Sequence, residues 1–129
     1  MRPNEVSHIV IGAAMRIHSA LGAGVLESAC DACLFYELTQ AGLQFEHQLA
    51  LPIVYGGVRL KAAYRVDFIV ENCVLIEVKC VEKLLPVHSS QLLTYLKLSG
   101  VKLGLILNFK VPHMRDGIHR VVNGPEKDL

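Results

Sequence analysis

Arg65-Val66-Asp67-Phe68-Ile69-Val70, then Glu71-Asn72-Cys73, then Val74-Leu75-Ile76-Glu77-Val78-Lys79 is the stretch that decides what this chain can be. Val66, Phe68 and Val70 alternate with Arg65, Asp67 and Ile69, and Val74, Ile76 and Val78 alternate with Leu75, Glu77 and Lys79, which is the period of two of paired strands. A three-residue turn at 71–73 sets Val70 across from Val74. Asp67 then falls opposite Glu77 on one face of an antiparallel pair, with side chains roughly 5 Å apart. Lys79 shares that face. Like charges held face to face are unfavourable, so a cation is expected between or beside them, and hard oxygen ligands favour magnesium or manganese.

Outward from this hairpin the pattern predicts a single α/β domain over residues 1–129, a mixed sheet flanked by helices. Asn4 is the expected N-cap of a first helix over 5–20, where Val6, Ile9, Val10, Ala13 and Ile17 recur at helical spacing. Gly22-Ala23-Gly24 breaks it. A second helix is expected over 25–41, closed by Gly42, with Leu26, Cys30, Cys33, Leu34, Leu38 and Ala41 as its apolar stripe. Strands are read at 45–55, 58–70 and 74–80, with Cys80 continuing the buried alternation of Val74, Ile76 and Val78. Pro86 precedes a third helix over 88–99, and 103–109 is apolar on both faces, as suits a strand covered on both sides. A short edge strand is expected at 118–122 and a frayed end at 123–129.

Composition narrows the function classes. No apolar run approaches the length of a membrane span, and Met1-Arg2-Pro3-Asn4 leads into an amphipathic helix, so a cytoplasmic protein without a membrane partner is expected. The formal net charge of +1 lacks the strongly basic signature of many nucleic-acid binders. Cys30-Asp31-Ala32-Cys33 has the spacing of zinc and redox motifs, but its place on an apolar stripe favours cysteines acting as small hydrophobes. There is no Gly-x-Ser-x-Gly elbow and no phosphate loop.

The Asp67, Glu77-x-Lys79 hairpin, joined to Gly24-Val25-Leu26-Glu27 upstream and to Gln91, Tyr95-Leu96-Lys97 and Gly104-Leu105-Ile106-Leu107-Asn108-Phe109 downstream, resembles the PD-(D/E)xK nuclease superfamily and, within it, the small GxxExxY branch. Cys30 departs from the pattern, standing where that branch has its tyrosine. The resemblance implies a restriction-endonuclease-like core and a metal-dependent nuclease acting on DNA. It assigns Asp67, Glu77 and the Val78 carbonyl to Mg2+ or Mn2+, Glu27 to a further acidic role, Lys79 to the attacking water or the transition state, and Gln91 to positioning. Arg65 and Tyr95 are candidate substrate contacts. For Glu27 the alternative is a solvated first-turn glutamate favoured by the helix dipole. For Tyr95 it is a core ring with its hydroxyl at the rim. Arg59, Lys61 and Arg65 alternate along one strand and either touch phosphates or are ordinary exposed cations. Two other functions compete: a catalytically silent nuclease-like domain serving protein interaction or homodimerisation, and a redox protein using Cys30 and Cys33.

Overall fold

Strands that are apolar on both faces need cover on both sides, and helices supply it here. A computed structural model describes residues 1–129. The elements run α1 (Pro3–Leu21), α2 (Glu27–Gln40), β1 (Phe45–Tyr55), β2 (Val58–Val70), β3 (Val74–Lys79), α3 (Pro86–Ser99), β4 (Leu103–Asn108) and β5 (Ile118–Val122). Short 3-10 turns follow at Met114–Gly117 and Glu126–Asp128. The sheet order is β1-β2-β3-β4-β5, antiparallel except for the parallel β3–β4 pair, which α3 connects. This is the α/β mixed sheet expected from the sequence.

One face of the sheet carries Val74, Ile76 and Val78 of β3 with Leu103, Leu105 and Leu107 of β4, packed against Val6, Val10, Ala13 and Ile17 of α1 and Cys30, Leu34 and Leu38 of α2. The other face sets Leu75 and Ile106 against Leu92, Tyr95 and Leu96 of α3. That helix comes very close at Gly104, where a Cβ would stand 2.8 Å from the Leu92 side chain. No helix is long and apolar enough to cross a membrane.

Four expectations need correction. Helix α1 starts at Pro3 with Arg2 as N-cap, so Asn4 lies inside it and its side-chain oxygen accepts from Arg120. Helix α3 likewise starts at Pro86. In both cases the fixed proline φ suits the first helical position, and its missing N–H would have had no partner there. Helix α2 starts at Glu27, which leaves Leu26 as a 73% exposed cap residue outside the apolar stripe, and Ala41 is exposed at the other end. The end at 123–129 does not hang free. Leu129 is buried in the larger core, its carbonyl accepts from the Asn4 N–H at 3.0 Å, and the Lys127 carbonyl accepts from Arg2 at 2.6 Å.

Candidate active site

The β2–β3 ladder pairs Val70 with Val74, Ile69 with Leu75 and Phe68 with Ile76, and then stops. The three-residue turn holds, with Glu71 and Asn72 both at positive φ. At the next step side chains replace the backbone. The Asp67 N–H donates to Glu77 Oε1 at 3.0 Å, and the Val78 N–H donates to Asp67 Oδ2 at 2.8 Å. Asp67 and Glu77 are thus brought together, but as cross-braces between parting strands and not as a regular facing pair.

The cause lies one strand away. Gln48 stands opposite Asp67, between the pairs His47–Phe68 and Leu49–Val66, and adopts the left-handed conformation with φ 54°. Such a residue turns the pleat over. Before it, Phe45 packs toward the larger core and the His47 ring lies 4.6 Å from that of Phe68; after it, Leu49 and Leu51 belong to the smaller core. On β2 the same reversal puts Val66 and Ile69 in the smaller core and Phe68 and Val70 in the larger. Asp67 sits at the kink.

Burial shapes the charges. It pushes the Glu77 carboxyl up from 4.5 to about 7, with the neighbouring Asp67 adding to the rise and the Asp67 N–H and Lys79 opposing it. Burial also raises Asp67, against the Val78 hydrogen bond that lowers it, while Asp31 and Glu27 raise it further. One oxygen of each carboxylate holds a backbone N–H; Asp67 Oδ1 and Glu77 Oε2 accept nothing from the protein, and neither is a sealed orphan. Two open hard oxygens on carboxylates short of neutralising charge fit a divalent cation. No group of three or more acidic, histidine or cysteine side chains is close enough to form an all-protein cage. Such a donor set leaves most of a cation's shell to water, as one or two carboxylates commonly do for small hard cations.

Around this pair the other candidates take distinct places. Lys79 is half-buried, and its charge lowers both carboxyls without a direct ion pair. Val78 buries its side chain in the larger core, so only its main chain is available to the site. Glu27, in the first turn of α2, is exposed and shares a polar cavity of about 210 Å³ with Ser28, Asp31, Gln48, Arg65 and Asp67. The Arg65 guanidinium donates to Gln48 Oε1 at 3.3 Å. Tyr95 is buried in the smaller core, and burial together with Glu77 raises its phenol. It is both a core ring and a neighbour of the carboxylates. Gln91, one turn earlier, is exposed and lines a separate cavity with Tyr64, Val87, Ser90 and Thr94; no hydrogen bond joins it to Lys79 or to the acids.

Two residues escaped the sequence reading. Asn108 is buried at the end of β4; its Oδ1 accepts from the Val81 N–H at 3.1 Å and its Nδ2 donates to the Val81 carbonyl at 2.9 Å, clamping the chain two residues beyond Lys79. One polar residue closing an otherwise apolar strand was the available signal. Asp31 accompanies Glu27 one helical turn on, and its Oδ2 lies 2.6 Å from His47 Nε2. The i, i+4 acidic pair on α2 pointed that way.

Cys80 continues the buried side of β3, packed against the larger core that holds Val74, Ile76 and Val78. It lies past the end of β3, half-buried, with Sγ 4.0 Å from Cys30 Sγ on α2, so Cys30 meets Cys80. Burial, then the neighbouring Cys80, pushes the Cys30 thiol up to about 12, which makes it a poor nucleophile for redox exchange. Cys30→Ser is expected to destabilise by roughly 1 to 3 kcal/mol, because the hydroxyl has no good acceptor in this apolar position. Urea unfolding measures it, and an unchanged midpoint would show that the site accommodates a hydroxyl.

Comparison with known families gives a match over residues 4–121 to the model of the PD-(D/E)XK nuclease superfamily. No curated protein and no solved structure matches the chain. The matched span holds every residue of the site, from Glu27 to Asn108.

Proposed function

The chain belongs to the PD-(D/E)XK nuclease superfamily, and we propose that it is a nuclease of the GxxExxY branch that hydrolyses DNA phosphodiesters with Mg2+ or Mn2+ at Asp67, Glu77 and Lys79. The observation that carries this reading is the pair of linked, partly dehydrated carboxylates, each with one oxygen open, and a lysine close enough to lower both. Asp67 and Glu77 would hold the metal, with the Val78 carbonyl and waters completing the set. A metal there supplies Lewis-acid stabilisation of charge on the phosphate.

The protein's own groups do the rest. Lys79 is a point charge suited to an anionic phosphate, and it orients the attacking water or stabilises the transition state. Glu27 stands across the polar cavity from Asp67 and can hold a water there. Arg65, on the wall of the same cavity, contacts a phosphate next to the scissile one. Tyr95 places its phenol at the rim. Gln91 acts from its separate cavity by positioning the nucleic acid, since it does not reach Lys79.

Purified protein offered supercoiled, linear, branched and single-stranded DNA with magnesium or manganese should cleave at least one substrate and none in chelator. Cleavage that persists in chelator, or in Asp67→Asn with metal present, would refute the proposed site. No cleavage of any substrate would favour a silent interaction domain.

A further inference from the structure

Strand β3 reaches only as far as Phe68 on β2, so the outer parts of β1 and β2 continue as a two-stranded ribbon ending in the turn Gly56-Gly57. Residues 54–65 are exposed without a break. A lone two-stranded hairpin is marginal in water, and this one exposes Val54, Tyr55, Val58 and Leu60, with Tyr55 at 79%. Its charge is one-sided. Residues 49–66 contain Arg59, Lys61 and Arg65 and no acidic residue, and none of the three cations has a carboxylate partner. The chain has 13 basic and 12 acidic residues, so the ribbon is +3 while everything else sums to −2.

The register aims this charge. Arg59 pairs with Val54, Ala63 with Pro52 and Arg65 with Ala50. Ala50, Pro52 and Val54 alternate on β1, so Arg59, Ala63 and Arg65 share a face. Lys61 lies in the bulge between Arg59 and Ala63, where β2 carries extra residues against Ile53. Arg65 lines the polar cavity with Asp67, so the basic face is continuous with the candidate cleavage site. Beside the cations this face carries Ala50, Pro52, Val54 and Ala63, short side chains that let a phosphate backbone come close.

We propose that the β1–β2 ribbon is an arm that grips duplex DNA: Arg59 and Lys61 take backbone phosphates on one side of the scissile bond, Arg65 links them to the site, and the Tyr55 tip enters a groove. The inference rests on the nuclease reading for its substrate. Eight residues of strand separate Asp67 from Arg59, roughly 26 Å, which spans about eight base pairs. The major groove admits a two-stranded ribbon. A second copy of the chain fits this surface less well, since strand-to-strand pairing of β2 with itself would crowd like charges.

The test is fluorescence anisotropy in chelator, with a duplex long enough to extend past the arm on both sides of the cleavage point. Each lost phosphate contact lowers the slope of log K against log salt by about 0.9, so Arg59→Ala/Lys61→Ala should flatten the parent slope by about 2. Lys102→Ala, an exposed charge outside the ribbon, should not. Equal melting temperatures would show that all three proteins are folded. In cleavage assays, efficiency of the parent should drop once the duplex on one side is trimmed below about eight base pairs, and the double variant should be insensitive to that trimming. The arm is overturned if the double variant keeps the parent slope, if Lys102→Ala loses as much, if the parent does not bind at low salt, or if the double substitution only dissociates a dimer. Binding in chelator does not depend on catalysis. Arm-dependent binding without cleavage would therefore refute the nuclease and keep the arm, and cleavage with arm-independent binding would do the reverse.

Discussion

Lys79→Ala is expected to lower turnover by about 10² or more, a loss of roughly 3 kcal/mol of transition-state stabilisation, in a protein that still folds. Lys79 is half-buried at the end of β3, makes no direct ion pair, and lowers the carboxyls of both Asp67 and Glu77. Removing it therefore costs little packing but withdraws positive charge from where a phosphate would sit. It also leaves the two acids less compensated, which weakens their hold on a cation. Measuring turnover across a metal titration separates the effects: a defect that persists at saturating magnesium belongs to the phosphate chemistry, and one that vanishes belongs to the carboxylates. Parent-like turnover at every metal concentration would remove Lys79 from the mechanism.

Glu77→Gln is expected to melt above the parent in chelator at pH 8. Burial and Asp67 hold the Glu77 carboxyl at about 7 in the folded protein against an ordinary 4.5. Between those values the folded state keeps a proton that the unfolded chain has released. Unfolding free energy then falls as pH rises through the window and levels off above it. The full difference is about 3 kcal/mol, and it is absent below the ordinary value, where both states are protonated. Asp67, also raised, adds to the fall in the same direction. The glutamine amide oxygen can still accept the Asp67 N–H, so the variant loses the charge and keeps the brace. Parent and variant should converge near pH 4 and separate by pH 8. A large excess of magnesium should reverse the order, because a ligand bound only by the folded parent adds about 4.1 kcal/mol at a thousandfold excess over Kd, more than the charge costs. A variant that melts below the parent in chelator at pH 8 would show that the Glu77 charge is already compensated.

The elements were legible because apolar period and turn chemistry agree. Strands β1 and β2 and the turn after Val70 fall where alternation and the Gly56-Gly57 and Glu71-Asn72-Cys73 breaks place them, and Gly42 and Gly100 follow the helices they close. Helix starts were less legible, since Asn4 looks like a cap and the third helix is expected only from 88, while Pro3 and Pro86 are the true first residues. The kink at Gln48 and Asp67 was invisible. Phe45, His47, Leu49 and Leu51 read as one unbroken alternation, and Val66, Phe68 and Val70 as another, although each series changes face partway. A pleat reversal that moves apolar residues from one core to the other leaves no polar mark in the sequence. For the same reason the pairing of Asp67 with Glu77 was expected from strand register, whereas the structure makes it with side chain to backbone hydrogen bonds. The contact of Cys30 with Cys80 depends on how α2 lies against β3, which periodicity alone does not give.

The central claim is that Asp67 and Glu77 share one metal, and calorimetric titration of Mn2+ into the parent near pH 7, in buffers of different ionisation enthalpy, tests it most directly. The prediction is saturable binding with proton release, since a Glu77 carboxyl held at about 7 must give up its proton to coordinate, and loss of that binding in both Asp67→Asn and Glu77→Gln. Absence of binding by the folded parent, or binding that either variant retains unchanged, would contradict it.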